Sequence, residues 1–331
     1  MGGFFLLSLV LLIFSINKTR VFFILSFFIL VILAGFRDFS VGTDTLSYQM
    51  LFERTRAGIE IRTEWLWAVL SKIVIYFGGG FTALLVTAAT MVLLPVYFVA
   101  KKFSVNASLS IFFYYTLYFY FFSFNITRQM IAVSIVLLAF AMLQQNKKTI
   151  FGALIFIAAG FHLTALTAIP LIFLDKLPNN NRFYFVSVVM SMILGLFLSG
   201  FIFSFGAGLL GYGRYVESYS LGESLVGQFL YLVILNSFFF FIMLGVPTKE
   251  TLFRLFFVFI IVSNLVISIP FGERVILYYA IIQVLFLPYF LKVSRYKPKE
   301  LALIIVLLYT YAMYFRRFGA GEILPYLNVL F

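Results

Sequence analysis

Between two apolar stretches, residues 36–56 read FRDFSVGTDTLSYQMLFERTR and gather three arginines, two aspartates and a glutamate. Arg37 and Asp38 come first, then Val-Gly-Thr-Asp-Thr, then Tyr48 about one helical turn beyond Asp44. Gly42 permits a tight turn, and Thr43 or Asp44 can cap a helix carrying Tyr48. Asp44 then has two readings. It is a cap, or it is a carboxylate beside an arginine, orienting that arginine or accepting a hydroxyl proton.

Three more arginines sit in related settings: Arg128 in FNITRQM, Arg214 in GYGRYVESY and Arg274 in FGERVILYY. Tyr215 and Tyr278 lie close to the last two, and Gln129 follows Arg128. A guanidinium binds phosphate or carboxylate through two parallel hydrogen bonds, and aromatic and amide neighbours suit a sugar. The plainer alternative is that these arginines snorkel to headgroups or pair with Glu217 and Glu273. Such residues at span ends are costly, about 2.5–3.5 kcal/mol at a helix centre on insertion scales, so a cluster of them marks a site by default. His162, in AAGFHLTAL, is the sole histidine. It is a general base or donor facing a cavity, or it closes a turn with a hydrogen bond. One histidine without cysteine makes no zinc site, and no metal is expected.

These residues must be held by membrane helices. The 331 residues are 63% apolar and only 11% charged, far outside the soluble range. Apolar runs at 3–16, 21–35, 81–100, 107–124, 126–143, 183–205, 225–246, 255–270, 274–291 and 300–315 are separated by short charged clusters without β-barrel alternation. The expected fold is therefore all-α and polytopic, with about 11–14 membrane helices counting re-entrant or short hairpin segments. The first run has no preceding basic residue and no cleavage site after it, and reads as a retained span.

Charge sets the orientation. Lysine-bearing connectors at Lys18/Arg20, Lys101/Lys102, Lys147/Lys148, Lys176/Arg182, Lys249/Arg254 and Lys292–Lys299 all belong in the cytoplasm by the positive-inside rule. The segments 36–63, 125–128, 206–224, 270–274 and 316–331 then lie outside. Two segments must bend for this to hold. Residues 150–174 are expected as a hairpin of short helices turning near Gly160, and residues 64–80 as an interfacial or re-entrant piece, for which Trp65, Trp67 and Lys72 are suited. The inner face then carries ten lysines and four arginines against three acids, and the outer face nine arginines, nine acids and no lysine except the interfacial Lys72. The net charge of +12 is thus a matter of topology and does not point to nucleic acid. Inside, a point charge suffices; the outer face has the forked donor, and function is expected there.

Other motif matches carry no weight. GAGLLG at 206–211 lacks the strand and βαβ unit of a dinucleotide site, the N-x-S/T matches at Asn106 and Asn125 are at chance level, and no GxSxG elbow occurs.

The segment GFRDFSVGTDTLSYQMLF resembles the amino-terminal signature of EpsG-like proteins, a branch of the Wzy-type polymerases of bacterial polysaccharides. Further matches are N-x-x-R-Q at Asn125–Gln129, F-H-x-T-A-L at Phe161–Leu166, R-Y at Arg214–Tyr215, R-x-x-x-Y at Arg274–Tyr278 and L-P-Y at Leu324–Tyr326, so the likeness runs the length of the chain. The resemblance implies one transmembrane polymerase domain, residues 1–331, in the bacterial inner membrane. Its partners would be donor and acceptor oligosaccharides on undecaprenyl diphosphate, membrane lipid and a chain-length regulator. The growing glycan would pass to a hydroxyl of the incoming unit at the periplasmic or outer face, without cofactor, metal or nucleotide. Arg37, Arg128, Arg214 and Arg274 would stabilise the leaving diphosphate, and His162 or Asp44 would be the base. Asp38, Tyr48, Gln129, Tyr215 and Tyr278 would contact sugar or phosphate. The aromatic excess, 46 Phe among it, would mostly face lipid and frame a groove for the polyprenyl tail.

The main rival is a transporter or flippase for the same lipid-linked sugars, which would string basic residues along a path through the membrane. A ligase would show a large outer loop, and a single-histidine acyltransferase a histidine near the cytoplasmic face. A structural scaffold leaves the arginines without a purpose.

Overall fold

The computed structural model describes every residue except 1, 18, 198–224, 268, 270–271, 318–319 and 330–331. Among the described residues there is no strand, only an isolated bridge pairing Arg37 with Asn328. The helices are α1 Gly2–Asn17, α2 Arg20–Gly35, α3 Thr45–Arg56, α4 Trp65–Tyr76, α5 Phe81–Phe103, α6 Ala107–Thr116, α7 Phe119–Asn125, α8 Thr127–Gln144 and α9 Lys148–Phe161. A 3-10 helix over Leu163–Lys176 follows, then α10 Asn181–Phe197, α11 Leu225–Gly245, α12 Thr251–Val266, α13 Gly272–Ala280, α14 Gln283–Val293 and α15 Lys299–Arg317.

Helices α5 and α8 and residues Gly227–Gly245 of α11 are long and apolar enough to cross a membrane alone. The pairs α6 with α7 and α13 with α14 raise these to five, and six shorter apolar helices accompany them. Together these are eleven apolar segments among the described residues, of which three to five are spans by length and composition. Helices predominate because hydrocarbon offers no partner for a free N–H or C=O.

The chain divides into two compact units, residues 1–169 with 283–289 and 305–331, and residues 170–282 with 290–304. In the first, α8 is buried nearly all round and packs against α5 and α9. It has no polar face, as befits a helix surrounded by others. Lipid is as apolar as leucine, so close packing and interhelical hydrogen bonds replace the hydrophobic effect here. Gly35 of α2 lies against α5, where a Cβ would come 2.7 Å from Val86 Cγ2, and Ser26 meets the Tyr97 hydroxyl at 2.9 Å. Asn106 caps α6 through the Leu109 amide at 3.1 Å and donates to the Ser15 carbonyl at 3.2 Å, tying α6 to the end of α1.

The break between α6 and α7 falls at Tyr118, whose φ of 74° is left-handed, and bends the pair by 53°. It fills the core with rings. Phe112, Phe113, Tyr114, Tyr115, Phe119, Tyr120, Phe121 and Phe124 are all buried. Here the lipid-facing expectation for the aromatics is corrected: the bend turns this segment's rings inward, against α8 and the ends of α1 and α2.

The expected break within 150–174 is present at His162, beside Gly160, where the backbone is extended between α9 and the 3-10 helix. Gly160 also serves close packing, since a Cβ there would stand 2.5 Å from Leu66 of α4. Helix α4, of 12 residues or about 18 Å, is too short to span a core of about 30 Å. Its far end returns to α3, where Arg56 donates to the Gly79 carbonyl at 2.9 Å.

In the second unit α10, α11 and α12 meet at a buried amide pair. Asn236 and Asn264 each donate to the other, at 2.8 and 2.9 Å, and Asn264 also reaches Ser191 at 2.9 Å. Gly195 lets α10 approach there, because a Cβ would collide with the Asn264 carbonyl. Arg254 donates to the Asp175 carbonyl at 3.0 Å. The links from Asn106 to Ser15 and from Arg254 to Asp175 each join segments that the charge rule puts on the same side.

Candidate functional site

The turn after α2 is built before any side chain can act. Gly42 has a φ of 93° and lies so close to α7 that a Cβ would stand 2.6 Å from the Phe124 carbonyl. Thr43 donates its amide, at 2.7 Å, and its hydroxyl, at 3.2 Å, to Asn125 Oδ1. Thr45 reaches the Phe124 carbonyl at 3.1 Å. The carboxy-terminal tail straps this turn down: the Gly42 amide donates to the Glu322 carbonyl at 3.0 Å, the Asp38 amide to Leu327 at 3.0 Å, and the Tyr326 hydroxyl to Leu33 at 2.7 Å. Asn125, Gly42 and the L-P-Y segment therefore shape one loop.

On that loop α3 presents Tyr48, which is buried and packs its ring on Trp67 of α4 at 5.3 Å. The Arg128 guanidinium lies over the other end of the same group, 5.5 Å from the Tyr48 centroid. Arg128 donates through Nη1 to Thr63 Oγ1 at 2.6 Å and forms an ion pair with Glu64 Oε2. The second carboxylate oxygen of Glu64 stands 3.3 Å from His162 Nδ1, within ion-pair reach but off hydrogen-bond alignment in this rotamer. Four separate segments, heading α3, α4 and α8 and ending α9, thus bring Tyr48, Glu64, Arg128 and His162 together. The Glu64 carboxyl is pushed up by its partial burial, but His162 and Arg128 outweigh that and hold it at about 2, so it is ionised at neutral pH.

The remaining expected residues are placed as follows. Arg37 is buried, with Nη1 on the Ala34 carbonyl and Nη2 on the Phe124 carbonyl at 3.3 Å and Thr127 Oγ1 at 3.4 Å. Burial lowers it to about 10, still protonated at neutral pH. It closes the ends of α2 and α7 beside the start of α8, which positions Arg128. Asp38 binds the Ser40 amide and hydroxyl at 2.9 and 2.6 Å, and these bonds lower its pKa. Asp44 heads α3 but its side chain makes no capping bond, so the capping reading is corrected. Gln129 is buried in the first turn of α8. Arg274 is exposed at the start of α13 in the second unit, and Tyr278 of that helix is buried. Arg214 and Tyr215 lie outside the described residues.

The profile described as the EpsG family matches residues 20–328. The chain belongs to the EpsG family. It is accordingly a membrane protein of the EpsG-like polysaccharide polymerases. No curated protein and no solved structure matches it. Within this EpsG chain the residue that sequence reasoning missed is Glu64. Its signal was available, an acid immediately before an apolar segment at membrane depth, where an unpaired carboxylate is costly.

Proposed function

We propose that this protein is a lipid-diphosphate-dependent repeat-unit polymerase of the bacterial inner membrane, acting at the outer face. A hydroxyl of the acceptor unit attacks C1 of the donor sugar. The bond from C1 to the diphosphate oxygen breaks, both electrons leave on undecaprenyl diphosphate, and the hydroxyl proton passes to a base. The observation that carries this reading is the gathering of Arg128, His162 and Tyr48 at one end of the bundle, with Arg37 buried beside them.

Each group suits a part of that reaction. Negative charge grows on the departing diphosphate, and Arg128 supplies preorganised donors in a partly desolvated place, where such interactions gain strength. Tyr48, buried on Trp67, carries the Arg128 guanidinium over its ring and so helps to position it. His162 and Asp44 are the candidate bases. A cavity of about 460 Å³ between α1, α2 and the tail, lined by residues such as Phe4, Leu7, Leu33 and Pro325, suits part of a polyprenyl chain. Arg214 and Arg274 retain their assignment to diphosphate as expectations to be tested separately.

The test is incubation of purified protein in sealed proteoliposomes with a defined lipid-diphosphate oligosaccharide. A ladder of products on a gel is expected from the wild type and none from Arg128→Ala. Export of unmodified lipid-linked units without any ladder would favour the transporter.

A further inference from the structure

We infer that Glu64 is a positioning residue that selects His162 as the proton acceptor, a step that rests on the polymerase reading above. Glu64 stands at the N-cap of α4 with extended backbone, φ −62° and ψ 137°, yet its side chain makes no capping bond. The carboxylate is turned away from its own helix and spans two others, one oxygen on Arg128 and the other 3.3 Å from His162 Nδ1. A carboxylate facing one imidazole nitrogen fixes the proton there and leaves the other nitrogen as the acceptor. Nδ1 is the buried nitrogen of the His162 ring, while about a fifth of the side chain, 20%, is open. Asp44 has no comparable partner: its side chain makes neither a cap nor an ion pair among the described residues.

In the reaction the acceptor hydroxyl gives its proton to His162 Nε2 as its oxygen bonds to C1 and the diphosphate leaves with the electron pair. The Nδ1–H proton stays with the ring on the side of Glu64, so the positive charge formed on the imidazole is met by a negative one 3.3 Å away. The same carboxylate holds Arg128, which keeps donor and acceptor sides in register.

Because His162 is the sole histidine, ¹⁵N-histidine labelling yields one ring to assign. At about pH 9, where an ordinary imidazole is neutral, the wild type is expected to carry its proton on Nδ1 and Glu64→Ala on Nε2. An Nε2-protonated wild type overturns the inference whatever the substrate proves to be. Ladder formation supplies the second arm. Glu64→Ala is expected to slow it about 10²-fold alone but less than about threefold in a His162→Ala background, because the two act as one unit. Full multiplication of the two losses overturns the inference and leaves the polymerase reading intact. Conversely, an Nδ1-protonated ring without any ladder keeps the Glu64 assignment and sinks the polymerase.

Discussion

Gly42→Ala isolates the turn that carries Asp44 and Tyr48, and Gly58→Ala is its matched control. Both glycines have left-handed backbone, φ 93° and 76°, so alanine at either costs about 1–2 kcal/mol in strain. They differ in surroundings. Around Gly58 there is open space, whereas at Gly42 a methyl group would meet the Phe124 carbonyl at 2.6 Å and Asn125 Oδ1 at 2.9 Å. A backbone carbonyl cannot rotate away, so the turn must lift. Lifting gives up the Thr43 bonds to Asn125 and the Thr45 bond to Phe124, each worth about 1 kcal/mol net. The total for Gly42→Ala is then about 4–5 kcal/mol against about 1–2 for Gly58→Ala. Hydrogen exchange reads the difference directly: the amides of residues 42 and 43, which donate to the Glu322 carbonyl and to Asn125 Oδ1, are expected to exchange at least about 100-fold faster in Gly42→Ala, since 1.4 kcal/mol is about tenfold. In Gly58→Ala they are expected to stay protected. Equal protection in both variants would mean that the turn is not docked on α7, and the positioning argument for Tyr48 would fail with it.

Other outcomes follow from the same geometry. Arg128→Ala is expected to insert normally but to make no ladder, and Arg128→Lys to recover little, because an ammonium lacks the planar fork; reconstituted chain elongation measures both. Arg37→Ala leaves the Ala34 and Phe124 carbonyls without their donor and is expected to lower the melting temperature in detergent, with Arg37→Lys failing to restore it. Glu64 gives a pH signature. Its folded value of about 2 lies below the ordinary 4.5, so its contribution is complete above pH 4.5 and disappears as pH falls through 2. It is worth at most about 3 kcal/mol. Melting curves at pH 7 and pH 3 are therefore expected to differ less in Glu64→Gln than in the wild type.

Composition made the helical class legible. The segments with ordinary apolar length, α5 and α8, fall where hydropathy puts them. Bends were harder to read. The left-handed Tyr118 has no sequence mark, since tertiary packing of the rings on either side forces it, whereas Gly160 marked the break beside it, its missing side chain also serving the approach of α4. In the site, Arg128, Tyr48 and His162 announced themselves by type. Arg37 announced itself too, but sequence could not tell a guanidinium facing a ligand from one spent on helix-end carbonyls.

Glu64 shows why the partner is the harder half to find. An arginine in an apolar sequence is visible by contrast, while its counter-charge, 64 positions away in the chain, reads as one more acid beside tryptophans. Charge near the membrane is nonetheless affordable only in compensated groups, because each uncompensated ion carries a desolvation cost of several kcal/mol. Pairing therefore selects the geometry: Arg128 draws Glu64, Glu64 fixes the start of α4, and α4 sets Trp67 under Tyr48 and Leu66 against Gly160 at the end of α9, where His162 follows. The chemistry and the packing of this end of the bundle are one constraint, which is why a carboxylate that looks incidental in sequence joins the base to the guanidinium.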